Sequence, residues 1–233
     1  MQQLVQEYIP LCFVFLVACT IHEFAHAWSA YKLGDNTAYN EGRVTLNPLV
    51  HLDLMGTVCF LISAYAGMAF GWAKPVPVNP TRFKNPRRDN FLVTFAGPLS
   101  NLLMAVAACF VYVLIFKKHH LFMSVPPTGS SQEMALLFRV LSFMVTFNLL
   151  LFFFNLLPVY PLDGSHIVAA LLPLNEAYKF TRFSQAHGHN ILLLLILLGP
   201  ISGGSVDPLR FLIWQPVMYL SQGMYSMFLN ILV

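Results

Sequence analysis

His22-Glu23-Phe24-Ala25-His26 lies inside an apolar run, residues 8–31, that is long enough to cross a bilayer. Lipid offers a chain only helices or closed barrels, because no water is present to satisfy the backbone. An uninterrupted apolar run of this length selects the helix. Each helical residue turns about 100°, so His22 and His26 lie about 40° apart and share a face, with Glu23 about 60° from His26. Both imidazoles can then point at one ion, and the carboxylate can reach a water beside it. The plainer reading is a helix whose histidines bond neighbouring carbonyls. That reading must account for three ionisable groups in one turn, where a charged side chain at mid-membrane costs roughly 2.5–3.5 kcal/mol.

Of the 233 residues, 57% are hydrophobic and 10% charged, against roughly one quarter charged in a soluble domain. This predicts an integral membrane protein built as one domain over residues 1–233, surrounded by lipid, with no residues left for a separate soluble module. A net charge of +3 is too small to argue for a nucleic-acid partner. Cys12, Cys19, Cys59 and Cys109 all sit in apolar stretches and form no C-x-x-C pair, so buried, inert thiols are expected. Residues 1–7 lack a basic segment, and the following run carries the histidine motif. The first helix is therefore expected to be retained, not cleaved as a signal peptide.

The fold class predicted is an all-α polytopic membrane protein with a small membrane-associated β element. About five to six membrane segments are expected around a core of three helices. The first helix, 8–31, should stop near Gly34. Residues 42–47 read as a short strand, and the proline-rich stretch 74–80 as an extended edge. Residues 54–70 are apolar but interrupted by Gly56 and Gly67, and either span or re-enter. Clear spans follow at 92–116 and 135–157, separated by a polar loop over 117–134. A short helix is expected at 165–172, with additional helices over 191–230.

Catalytic zinc generally takes three protein ligands and leaves a fourth position to water. Among the ten carboxylates, Asp163 stands out with Glu23: it sits at a hydrophobic stretch with no nearby positive partner in sequence. It lies in Asn155-Leu156-Leu157-Pro158-Val159-Tyr160-Pro161-Leu162-Asp163-Gly164, where prolines free backbone groups and a glycine permits a tight turn. Irregular backbone at membrane depth is tolerated where it lines a site. The alternative is a solvated Asp at a membrane-edge turn.

Three motifs occur in order: His22-Glu23-Phe24-Ala25-His26, Gly97-Pro98-Leu99-Ser100-Asn101, and Asn155-Leu156-Leu157-Pro158 through Leu162-Asp163-Gly164. Together they resemble the site-2 protease family of intramembrane zinc metalloproteases over roughly residues 8–172. The form without PDZ or CBS modules is similar to the compact prokaryotic branch. The resemblance implies one zinc ion per chain, held by His22, His26 and Asp163, with Glu23 as general base and Asn155 helping to hold substrate or oxyanion. It implies hydrolysis of peptide bonds within or near transmembrane helices of membrane-protein substrates. Residues 42–47 and 74–80 would correspond to the family's β-structure near the site.

Other histidines are weaker candidates. His51, with Asp53, could shape the site or lie among headgroups, and His166 could support Asp163. His119-His120 and His187-x-His189 read as solvated loop residues. A membrane di-iron oxygenase or desaturase also uses His-x-x-x-His boxes but needs several more of them. A metal transporter would not require Glu23 beside the pair. With Met1 outside and helix 8–31 running inward, most Lys and Arg fall on the cytoplasmic side. A plasma-membrane protein with its site toward the cytoplasm is therefore expected.

Overall fold

The computed structural model describes residues 8–65, 70–117, 126 and 129–232. The first helix, α1 (Ile9–Lys32), begins with Pro10 in its first turn, where a missing N–H costs nothing. It ends at Leu33, whose N–H returns to Ser29 and Ala30, and Gly34 then turns the chain at φ +106°. The helix α5 (Pro86–Phe116) starts six residues before the expected span, because Pro86 opens it and Asp89 accepts the Asn85 N–H at 3.0 Å. The helix α6 (Gln132–Asn155) is capped by Ser131, whose hydroxyl accepts the Met134 N–H, and stops short of Pro158. These three pack on one another, and among the described residues they are the helices long and apolar enough to cross a membrane.

Between α1 and α5 the chain forms α2 (Thr37–Asn40), α3 (Pro48–His51) and α4 (Leu54–Tyr65). No β-strand forms among the described residues; the β element reduces to one antiparallel bridge, Leu52 to Ala73. The strand expected at 42–47 is a run of turns. Gly42 takes φ +68°, and Gly42 and Arg43 donate their N–H groups back to Tyr39 and Ala38, leaving no ladder to pair. Asn47 then caps α3. The chain enters and leaves the apolar stretch 54–70 at one place, since the Lys74 N–H donates to His51 O at 2.8 Å beside that bridge. Its helix α4, twelve residues long, extends about 18 Å, too short for a hydrocarbon core of about 30 Å. Phe60 of α4 stacks on Phe15 of α1 with ring centroids 3.9 Å apart, and Phe147 of α6 meets both edge-on.

After α6, irregular chain over 156–162 leads into α7 (Asp163–Leu171), matching the short helix expected there. Gly164 is required at its start: a Cβ there would overlap the carbonyls of Leu156 and Leu157. The helix α8 (Leu174–Ile201) is continuous, so His187 and His189 lie on a helix and not in the expected loop. Gly188 lets that helix pass against Tyr160, whose carbonyl a Cβ would strike. A π-helical turn, Arg210–Trp214, precedes α9 (Gln215–Leu232), which packs on α5 and α6 around Tyr112, Val145 and Val217. His119 and His120 lie outside the described residues.

Candidate metal centre

One turn of α1 presents His22 and His26, both less than one tenth exposed, to the junction of α5 and α7. The α5 face they meet carries Gly97. A Cβ at that position would come within 2.7 Å of His22 Nε2 and closer still to His26, so only glycine leaves room for the two rings. From the other side, the first residue of α7 brings Asp163 Oδ2 to 3.2 Å from His22 Nε2 and 3.4 Å from His26 Nε2. The two Nε2 atoms are themselves 3.1 Å apart. Among the described residues these three side chains are the group placed to share one ion, their ligand atoms all within 4.8 Å of one another.

The far sides of the rings settle what the near sides offer. His26 Nδ1 lies 2.8 Å from Val93 O, and a carbonyl only accepts, so Nδ1 carries the hydrogen. His22 Nδ1–H donates to Asn101 Oδ1 at 2.6 Å; that amide is oriented by its own Nδ2, which donates to Asn148 Oδ1 at 2.8 Å. Asn148 in turn donates to Met144 O. Both imidazoles therefore face Asp163 with lone pairs. Asp163 Oδ2 is buried and accepts no hydrogen bond among the described residues. Three electron-pair donors that converge without a proton between them repel one another unless a cation sits among them. Their separations lie within a few tenths of an ångström of the edge of a tetrahedron around zinc, about 3.3–3.6 Å for ligand bonds of about 2.0–2.2 Å. The donor set fits a divalent ion.

Glu23 lies beside this group on a cavity of about 530 Å³ whose wall also includes Val76, Asn155, Asp163 and His166. Its Oε2 accepts the Val76 N–H at 3.1 Å. Asn155 reaches the same cavity, although its Nδ2 is turned back to Leu151 O at 3.1 Å. His51 and Asp53 are not brought to the site. His51 is buried and donates from Nε2 to Thr45 O at 2.8 Å, and Asp53 caps α4 through the Gly56 N–H.

The segment that crosses Glu23 is held by two groups that sequence reasoning passed over. Arg43, 2% exposed, donates to Lys74 O at 2.6 Å and Pro75 O at 3.2 Å. Asp35, fully buried just past α1, accepts from the Asn79 N–H at 2.6 Å and from the N–H and hydroxyl of Thr37. Burial alone would push Asp35 up. The hydrogen bonds from Asn79 and Thr37, with Arg82 nearby, prevail and hold its carboxyl below the usual carboxylate range. Asn101 and Asn148 were also missed as ligand supports. The signal for Asn148 was an amide midway along a phenylalanine-rich span, which lipid would penalise without a partner.

A family model described as Peptidase family M50 matches residues 10–198. "Putative zinc metalloprotease YwhC" of Bacillus subtilis (strain 168) is 41% identical over 187 residues, 80% of this chain and 78% of that protein. Rip2 of Mycobacterium tuberculosis (strain ATCC 25618 / H37Rv), of the same description, is 30% identical over 192 residues, 81% of this chain and 66% of that protein. Rip2 of Mycolicibacterium smegmatis is 25% identical over 183 residues, 78% of this chain and 64% of its own length. No solved structure matches the chain.

Proposed function

The chain belongs to peptidase family M50, and from that premise we propose that His22, His26 and Asp163 hold one zinc ion and that Glu23 is the general base of an intramembrane peptidase. The observation that carries this reading is the convergence of two oriented imidazole lone pairs on an unbonded, buried carboxylate oxygen, with a second carboxylate on the same cavity. Zinc, when bound, polarises the scissile carbonyl and makes water easier to deprotonate. Asn101 and the Val93 carbonyl keep the two rings aimed at the ion, and Asp163 adds the negative charge that offsets it. Glu23 keeps Oε2 on the Val76 N–H and uses Oε1 to take the proton of the attacking water and return it to the leaving amine. Asn155, released from Leu151, turns its amide nitrogen to the substrate carbonyl.

The substrate is a membrane protein cut within or near a transmembrane helix, which must unwind locally before its carbonyls are open to attack. The protein lies in the plasma membrane with its N-terminus outside and the site toward the cytoplasm. In support, the closure of Lys74 on His51 keeps Lys32, Arg43, Lys74, Arg82, Lys84, Arg87 and Arg88 at one end of the helices. The apolar second half of α8 and the π-turn with α9 supply further membrane segments, making five to six with the re-entrant α4. Family membership sets aside the oxygenase and transporter readings.

Two variants test the roles. Glu23→Gln should retain about one zinc per chain and bind substrate, with cleavage down at least 10²- to 10⁴-fold. Asp163→Asn should lose zinc and activity together. Metal analysis beside a cleavage assay decides. Full zinc in Asp163→Asn with zinc lost in Glu23→Gln would reverse the assignment of ligand and base.

A further inference from the structure

Beyond Asp89, α5 carries no charged side chain as far as Phe116, so its first turn marks the edge of the hydrocarbon region. At that edge lies an open groove of about 680 Å³ between the start of α5 and the end of α7, walled by Asn85, Arg87, Arg88, Phe91, Ala170 and Leu171. Its charge is of one sign. Arg87 is anchored by donating to the carbonyls of Ala170 and Leu172, which fixes a guanidinium in the groove. Arg88 and the neighbouring Lys84 are exposed and have no acidic partner among the described residues. The adjacent acid, Asp89, is buried and turned to the Asn85 N–H.

The apolar side of the groove continues toward the membrane interior. Arg87, Phe91 and Phe95 follow at i, i+4 and i+8 on one face of α5. The rings of Phe91 and Phe95 lie nearly parallel, 5.9 Å apart. A basic pocket at the interface that leads into an aromatic wall is complementary to a molecule with an anionic head and an apolar tail. A soluble anion would use the arginines and leave the phenylalanines idle.

We propose that this groove binds the headgroup of an anionic phospholipid, with its phosphate on Arg88 and Arg87 and an acyl chain along Phe91 and Phe95. Basic pockets at membrane helices recognise such headgroups through the same charges. The location has a consequence for the nine-residue α7, which carries Asp163 at its first residue and the groove at its last, about 12 Å apart. A lipid seated there clamps α7 to α5 from the end opposite the metal centre.

The test is competition by native mass spectrometry on the purified full chain, between phosphatidylglycerol and phosphatidylcholine of identical acyl chains, with soluble glycerol phosphate as a third arm. Phosphatidylglycerol should be retained preferentially. Each basic residue near a lipid phosphate contributes about fivefold, so Arg88→Gln should lose about that much preference and Lys84→Gln/Arg88→Gln should lose more. Arg88→Lys should keep most of it. A melting temperature in phosphatidylcholine unchanged by Arg88→Gln makes the comparison one of binding and not of folding; if it falls, Arg88→Lys beside Lys84→Gln carries the test. Equal retention of the two lipids by the unaltered chain, an undiminished preference after the substitutions, or displacement by glycerol phosphate as strong as by phosphatidylglycerol would each overturn the proposal. So would tighter binding of an acidic peptide than of either lipid.

Discussion

Gly97 concentrates the chemistry of the site in a missing side chain. Alanine is about 1 kcal/mol better than glycine inside a helix, yet a Cβ here would enter the space between the two imidazoles. Gly97→Ala should therefore lower zinc content and cleavage together, the gain in helix propensity offsetting only part of the cost of displacing the rings; a variant that keeps full zinc and full activity would show that the rings have room to retreat. Asn101→Ala should act more gently, lowering metal affinity about 10- to 100-fold by releasing the His22 ring, as a zinc-chelator titration would register. The polar residues of the candidate centre were legible unequally. Helical period alone puts His22, Glu23 and His26 on one stretch of helix, whereas Asp163 joined them through the family resemblance, its own segment leaving a solvated turn open. Asn101 entered only as the last residue of a motif, with no role of its own. Its bond to His22 spans 79 positions, and Val93 contributes a carbonyl that every residue possesses. No local pattern encodes a contact of that kind.

At the scale of elements, the loop ends owe their arrangement to two buried charges. Arg43 serves the carbonyls of Lys74 and Pro75, and hydrogen bonds to a charged group contribute about 1.5–3 kcal/mol. Arg43→Gln should cost about that much in denaturant unfolding, with Arg43→Lys in between, because an ammonium lacks the fork that reaches both oxygens. Equal stability of all three would mean that the segment is held from elsewhere. Asp35 makes the same region sensitive to acid. Its folded pKa lies below the unfolded value of about 3.9, so its stabilisation is complete above that value and is lost as pH falls through the folded one. Thermal melts taken downward from about pH 5 should fall more steeply for the unaltered chain than for Asp35→Asn, and parallel curves would deny Asp35 that part. The helices themselves were readable wherever apolar runs were long. The strand expected at 42–47 failed because four alternating residues carry too little signal against a glycine turn and a capping asparagine. The loop expected around His187 failed because polar residues continue a helix readily once Gly188 allows it to pack on Tyr160.

For the whole molecule, the gathering of basic residues at one end makes orientation measurable. In a background lacking Cys12, Cys19, Cys59 and Cys109, a cysteine at Asn85 should react with an impermeant reagent only from the cytoplasmic side and one at Ser130 only from outside. The opposite pattern would invert the molecule and place the site near the outer surface. Either orientation keeps α1 and α5 antiparallel, and the hydrogen bond between Lys74 and His51 explains why. Whatever lies between those two residues contributes an even number of crossings, so it cannot change the direction in which α5 sets out. The excursion through α4 is thus parity-neutral: a longer or shorter one would alter what surrounds the mouth of the cavity while Gly97 still arrives opposite His22 and His26. Variation in the surroundings of the site and constancy of its ligands are compatible in this topology, and a shortened 54–70 loop that keeps the His51–Lys74 closure should still bind zinc.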